Sequence, residues 1–313
     1  MRRYGSKVLS AILGSTLALA TAAAVQEQSQ EPASSGFTET VEVRLAEVYV
    51  AVTDASGRPA VGLSLPDFTL EQGGIPQRIE RAVDARDLPI ALGLAIDTSA
   101  SMFAKLPAVA SAARALLDQL VSGRDRGFLV SFGGEPELVE PSTLDLGSLR
   151  SSLQDLETVG RTPLWAGIER GLEELERVTG QRALVVFSDG ADEDGNRAYA
   201  DCLARARRVK APVYIVVMNN EAARSEGRDF QTRRFISRLE RVAGVGGGQL
   251  YFSATRGDLS AVYTQIQDQL RSAYLLTYYP SPGLDAPSAG DLKVKVGGRG
   301  LKARPVSAAT AVK

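Results

Sequence analysis

Two rhythms of apolar residues divide the 313-residue chain. From Val41 the period is two: Val41, Val43 and Leu45 alternate with polar neighbours, and Val48, Val50 and Val52 continue the pattern beyond a bulge or face switch near Ala46 and Glu47. Asp54-Ala55-Ser56-Gly57 reads as a turn, Phe68 and Leu70 mark a short strand, Gln72-Gly73-Gly74 a second turn, and Ile79 to Val83 another strand. From Leu88 the texture changes to unbroken apolar runs: Ile90 to Ile96, Phe128 to Phe132, Ala183 to Phe187 and Val213 to Met218. Runs without alternation suit strands covered on both faces. Between them Leu106, Val109, Ala110, Ala113, Leu116, Leu117 and Leu120 recur at three and four, as do Leu164, Ile168, Leu172, Leu175 and Val178. Helices over Phe230 to Val242 and Asp258 to Leu270 flank a strand at Leu250 to Phe252. The period of two then returns in Tyr274, Leu276 and Tyr278 and in Leu292, Val294 and Val296.

Strand followed by helix, repeated, predicts an α/β fold: a doubly wound, mostly parallel sheet with right-handed crossovers. The alternating segments on either side are too few to build separate cores, so they are expected to share a small β module. The predicted organisation is a signal peptide over 1–24, a linker over 25–36, an N-terminal β segment over 37–87, the α/β domain over 88–271 and a C-terminal β segment over 272–306. The signal peptide rests on Arg2, Arg3 and Lys7 ahead of an uncharged run from Val8 to Gln26 that ends in small residues near Ala24. This implies export to the periplasm, the cell envelope or the medium. An uncleaved anchor at the same run is the one route to a membrane.

Charge and composition narrow the chemistry. Lys plus Arg number 36 against 37 Asp plus Glu, a net of -1, and removal of the first 24 residues leaves 33 against 37, a net of -4. Neither balance supplies a field for nucleic acid. The chain has no histidine, which removes Ser-His-Asp and Cys-His catalysis and His-bound zinc. Its one cysteine, Cys202, shares a helical face with Tyr199, Ala206 and Val209 and reads as a buried, inert thiol, with a reactive thiol as the alternative. Arg205, Arg207, Arg208 and Lys210, and likewise Arg224, Arg228, Arg233, Arg234, Arg238 and Arg241, read as solvated helix faces or as a surface for an acidic partner. Gly244-Val245-Gly246-Gly247-Gly248 precedes a strand and opens no helix, so it is no phosphate cradle.

Open α/β sheets bind ligands beyond the carboxyl ends of their strands. Ile90 to Ile96 runs into Asp97-Thr98-Ser99-Ala100-Ser101, Ala183 to Phe187 runs into Ser188-Asp189-Gly190, and Gly160-Arg161-Thr162-Pro163 leads into a helix. Each has a structural reading of its own: Ser99 or Ser101 as a helix cap, Thr162 as an N-cap before proline at the first helical position, Asp189-Gly190 as a turn. Together they place two carboxylates and three hydroxyls at one sheet edge. That all-oxygen set suits Mg²⁺ or Mn²⁺ and suits Zn²⁺ poorly.

With Asp97, Ser99 and Ser101 in a D-x-S-x-S motif, Thr162 on a separate loop and Asp189 in a strand-end D-G, the chain resembles a von Willebrand factor type A domain with a metal-ion-dependent adhesion site. Ala100 stands where glycine is usual. Val52 to Leu63, Asp67-Phe68 and Leu88-Pro89 extend the resemblance to the exported bacterial proteins in which this domain sits between short β segments. The resemblance implies a Mg²⁺ (or Mn²⁺ or Ca²⁺) ion held by Asp97, Ser99, Ser101, Thr162 and Asp189, with the aspartates often acting through water. It implies a protein partner that offers an Asp or Glu carboxylate to the cation, and binding without turnover. Asp192, Glu193 and Asp194 read either as a solvated loop or as residues that tune the choice of metal or partner. Two other functions stay open: a Mg²⁺-dependent phosphohydrolase with Asp97 as nucleophile, which would ordinarily carry an acid where Ser99 stands, and a structural domain that binds no metal.

Overall fold

The computed structural model describes residues 44–312 apart from Gly57, Asp87, Ala191, Asp194, 219–229, Ala254, Ser272, Asp285, Ser288 and Arg299. The expected signal peptide and linker, and Val41 and Val43, lie outside the described residues.

The central sheet has the order β10-β9-β8-β5-β6-β7, with β5 (Ile90–Ile96), β6 (Arg126–Ser131), β8 (Gln181–Ser188), β9 (Val213–Val217) and β10 (Gln249–Phe252) parallel. Every residue of β5 and β9 is buried, which is why these runs carry no alternation: both faces are covered. On one face pack α1 (Leu106–Leu117), α2 (Leu146–Gln154) and α6 (Arg256–Arg271), through Val109, Leu116, Leu149 and Ile266. On the other pack α3 (Leu164–Glu176), α4 (Gly195–Val209) and α5 (Phe230–Val245), through Trp165, Ile168, Leu172, Cys202 and Leu239. The predicted α/β sheet is therefore present, and Cys202 is buried as expected.

One edge strand escapes the sequence reading. β7 (Glu137–Thr143) lies antiparallel to β6, is only half-buried, and carries Pro141, so it shows neither an apolar run nor clean alternation.

The flanking segments do form a β module, as two sheets where a single one was expected. β1 (Arg44–Thr53) runs between β11 (Ala273–Tyr278) and β13 (Lys302–Val312), with β4 (Ile79–Asp84) beyond β11. A three-stranded sheet pairs β12 (Leu292–Val296) with β2 (Phe68–Gln72) and β3 (Ile75–Gln77). Val48, Val50, Phe68, Leu70, Tyr274, Tyr278 and Val294 fill one core between them. The Tyr278 hydroxyl donates to Gln72 Oε1 across that core at 2.7 Å. Of the bulge or face switch read near Ala46 and Glu47, the bulge is absent from both pairings there, and Ala46, Val48, Val50 and Val52 share the core face; the register of β1 shifts only against β13, between Tyr49 and Val50.

Candidate metal site

Adjacent strands β5 and β8 place Ile96 opposite Phe187, so the residues that follow them, Asp97 and Ser188, emerge side by side at the carboxyl edge. Asp97 is fully buried. Its Oδ1 accepts from the Ser99 backbone N–H at 2.9 Å and its Oδ2 accepts from the Ser188 hydroxyl at 2.6 Å. Burial pushes this carboxyl above its ordinary pKa; the hydrogen bonds of Ser188 and Ser99 oppose the rise, and the charge of Asp189 adds to it. Ser99 is buried and Ser101 exposed, with their hydroxyl oxygens 3.1 Å apart. Two carboxylates that raise one another's cost of ionisation, beside paired hydroxyls, form a place where positive charge is favoured.

The chain supplies one positive charge itself. Lys105, just ahead of α1, places its ammonium 3.1 Å from Asp189 Oδ2.

Thr162 is buried on a loop pinned to the first motif by backbone hydrogen bonds. Val159 donates to the Thr98 carbonyl at 2.6 Å, and Ala100 donates to that of Gly160 at 3.3 Å. On its other side the Thr162 carbonyl accepts from Glu193 N–H at 3.0 Å, while Arg161 pairs with Glu193. Glu193 thus ties the threonine loop to the segment after β8; Asp194 lies outside the described residues. Thr162 does not cap α3 as expected. Pro163 occupies the N-cap position, one residue earlier than the predicted N1, and makes no side-chain cap.

Asp97, Ser99, Thr162 and Asp189 therefore lie on loops, and Ser101 in the 3-10 turn Ala100–Met102 that follows the first motif. Sequence reasoning missed Ser188 and Lys105. A hydroxyl ending a strand was visible for Ser188, but its partner depends on which strand lies alongside; nothing local marks Lys105. Among the described residues no group of three or more His, Cys, Asp or Glu is arranged to hold a metal ion, so a cation here would depend on hydroxyl oxygens.

A cleft of about 690 Å³ opens from Asp189, Gly190 and Asp192 toward α5, floored by Val217, Phe235 and Phe252.

Residues 92–191 match the von Willebrand factor type A domain family. A UPF0353 protein of Mycolicibacterium paratuberculosis is 24% identical over 261 residues, covering 73% of this chain and 76% of the relative. Among solved structures, a von Willebrand factor type A protein from Catenulispora acidiphila is similar with a TM-score of 0.49 and 11% identity, over 87% of this chain and 75% of that one. A mutant of the PilB minor pilin from Streptococcus sanguinis is similar with a TM-score of 0.49 and 12% identity, over 59% of this chain and 62% of that one.

Proposed function

This chain is a von Willebrand factor type A domain protein, and from that premise we propose that it is an exported protein-binding module whose site depends on a divalent cation. What supports this reading is that Asp97 emerges beside Ser188 at the carboxyl edge of β5 and β8, with the Ser99 and Ser101 hydroxyls paired next to it and the loop of Thr162 hydrogen-bonded to the same motif. The donors fit a hard cation: all are oxygen, two hydroxyls are 3.1 Å apart, and Asp189 already draws an ammonium. Asp97, Ser99, Ser101, Thr162 and Asp189 would hold Mg²⁺, Mn²⁺ or Ca²⁺. When bound, the cation supplies an electron-poor open position for a carboxylate of a protein partner. Ser188 orients Asp97, and the hydrogen bonds from Val159 and Ala100 hold the threonine loop against the first motif.

A phosphohydrolase fits less well, because Asp97 is fully buried and Ser99 stands where such an enzyme would carry its second acid. Export rests on the sequence pattern of residues 1–24. Among the described residues no helix is long and apolar enough to cross a membrane.

Thermal melting with and without Mg²⁺ or Mn²⁺ tests the cation. A ligand that binds only the native state at a hundred times its Kd stabilises by about 2.7 kcal/mol, a rise of several degrees for a chain this size. The wild type should show that rise and Asp97→Ala should not. Equal stabilisation of both proteins would remove these residues as the site.

A further inference from the structure

The face of α5 beside the metal site has an unusual charge economy. Ile236, Leu239, Val242 and Ala243 turn inward to the sheet, which leaves Arg233, Arg234, Arg238 and Arg241 on the outer side with Glu240 the single acid of the helix. On neighbouring α4, by contrast, Arg205 bonds Glu169 and Glu176 at 3.0 Å, and Arg208 bonds Glu176 at 2.6 Å. The α5 arginines form no ion pair among the described residues. Arg234 and Arg238 instead reach the side-chain carbonyl of Asn196, and the Arg238 guanidinium lies 4.6 Å from the centre of the Tyr199 ring. Amide and aromatic partners hold a guanidinium in place without cancelling its charge.

These arginines line a continuous trough. The cleft that starts at Asp189 and Asp192 has Arg234 and Arg238 in its far wall, and the same two residues begin a second cleft of about 630 Å³ that runs past Tyr199, Arg241 and the exposed Phe230. Charge and apolar floor thus alternate along one path leading away from the candidate metal site. The net charge of -1 for the whole chain makes this positive strip local and not part of a general field.

We propose that the arginine-lined trough along α5 is the docking groove for an acidic peptide segment of a partner protein. This rests on the cation-binding reading, because the inner end of the trough opens at Asp189, one of the residues that would hold the cation. The trough recognises carboxylates through bidentate guanidinium contacts, while Val217, Phe235 and Tyr199 take up the apolar stems between them. An anionic polysaccharide has charge without such stems and matches the floor less well.

The test uses the whole chain and a fluorescein-labelled octaglutamate, with binding followed by anisotropy in Mg²⁺ buffer. The peptide should bind, and Arg234→Glu with Arg238→Glu should weaken it at least about tenfold with cation affinity unchanged by calorimetry. Arg207→Glu on α4, the same change of charge as the single Arg241→Glu variant, should alter it less than about twofold. Arg241→Glu, at an exposed position that tolerates change, should weaken it about threefold and keeps the test valid if the double variant misfolds. Unchanged peptide affinity in the α5 variants overturns the proposal. So does binding of polygalacturonate in place of octaglutamate. If chelator leaves peptide binding intact while the α5 variants abolish it, the trough stands and the cation reading falls; loss in chelator with no effect of the variants does the reverse.

Discussion

At the candidate site a single side chain, Lys105, occupies the position beside Asp189 that a cation would take. The ammonium lies on Asp189 Oδ2, whose side chain is 10% exposed, so a cation that engages Asp189 must displace that contact or share its charge. Lys105→Met keeps the aliphatic stem and removes the competitor. Cation affinity measured by calorimetry should then rise about fivefold, the equivalent of about 1 kcal/mol for a partly exposed ion pair. Equal affinities in the two proteins would show that Lys105 does not compete. At this scale the spacing of Asp97, Ser99 and Ser101 after a strand was legible, because those residues are neighbours along the chain. Ser188 and Lys105 were not, because their contacts with Asp97 and Asp189 span 91 and 84 residues.

Gly160 shows how two loops become one element of the site. It has φ +71°, and a Cβ there would lie 2.1 Å from the carbonyl oxygen of Gly133, a backbone atom that cannot swing aside. Gly160→Ala should therefore destabilise the fold by about 2–4 kcal/mol in urea denaturation and diminish the rise in Tm with Mg²⁺, since Thr162 is carried on the displaced loop. Gly134→Ala, which would meet nothing within 4 Å, is the control and should change neither. A Gly160→Ala protein as stable as wild type would show that the loop accommodates a side chain. The apolar runs and the three-and-four spacing marked the buried strands and helices because their patterns are local. They failed at β7, half-buried with Pro141, and at β13, where Ala and Ser leave little apolar signal.

Across the whole molecule, the opposite edge of the central sheet is clamped by Asp125. This fully buried carboxylate accepts from Val121 N–H at 2.8 Å and Ile90 N–H at 3.3 Å, and pairs with Arg124 at 3.0 Å and Arg271 at 2.6 Å. It joins the start of β5, the α1–β6 loop and the end of α6. Burial by itself raises its pKa, but the hydrogen bonds of Arg124, Val121 and Arg271 outweigh that and bring it from 3.8 to about 2. A folded pKa below the unfolded one gives stability that is present above about pH 4 and lost as pH falls through 2, worth about 2 kcal/mol. Asp125→Asn should be less stable than wild type at pH 7, with the difference shrinking by about that amount between pH 4 and 2 in melting experiments. Parallel curves would show that Asp125 is not the group responsible.

The sequence alone determined the α/β class and the buried strands, and it named Asp97, Ser99, Ser101, Thr162 and Asp189 as candidates, since periodicity and short motifs are properties of contiguous residues. It also required the alternating strands of the two flanks to find partners, because an isolated apolar face on two strands is unstable in water. Tertiary structure decided which strand each one joined: β1 between β11 and β13, and β12 with β2 in a second sheet. It likewise decided that Ser188 faces Asp97, that Lys105 reaches Asp189, and that the α5 arginines border the same edge. Register and strand order are set by packing among side chains far apart along the chain, and no local pattern carries that information.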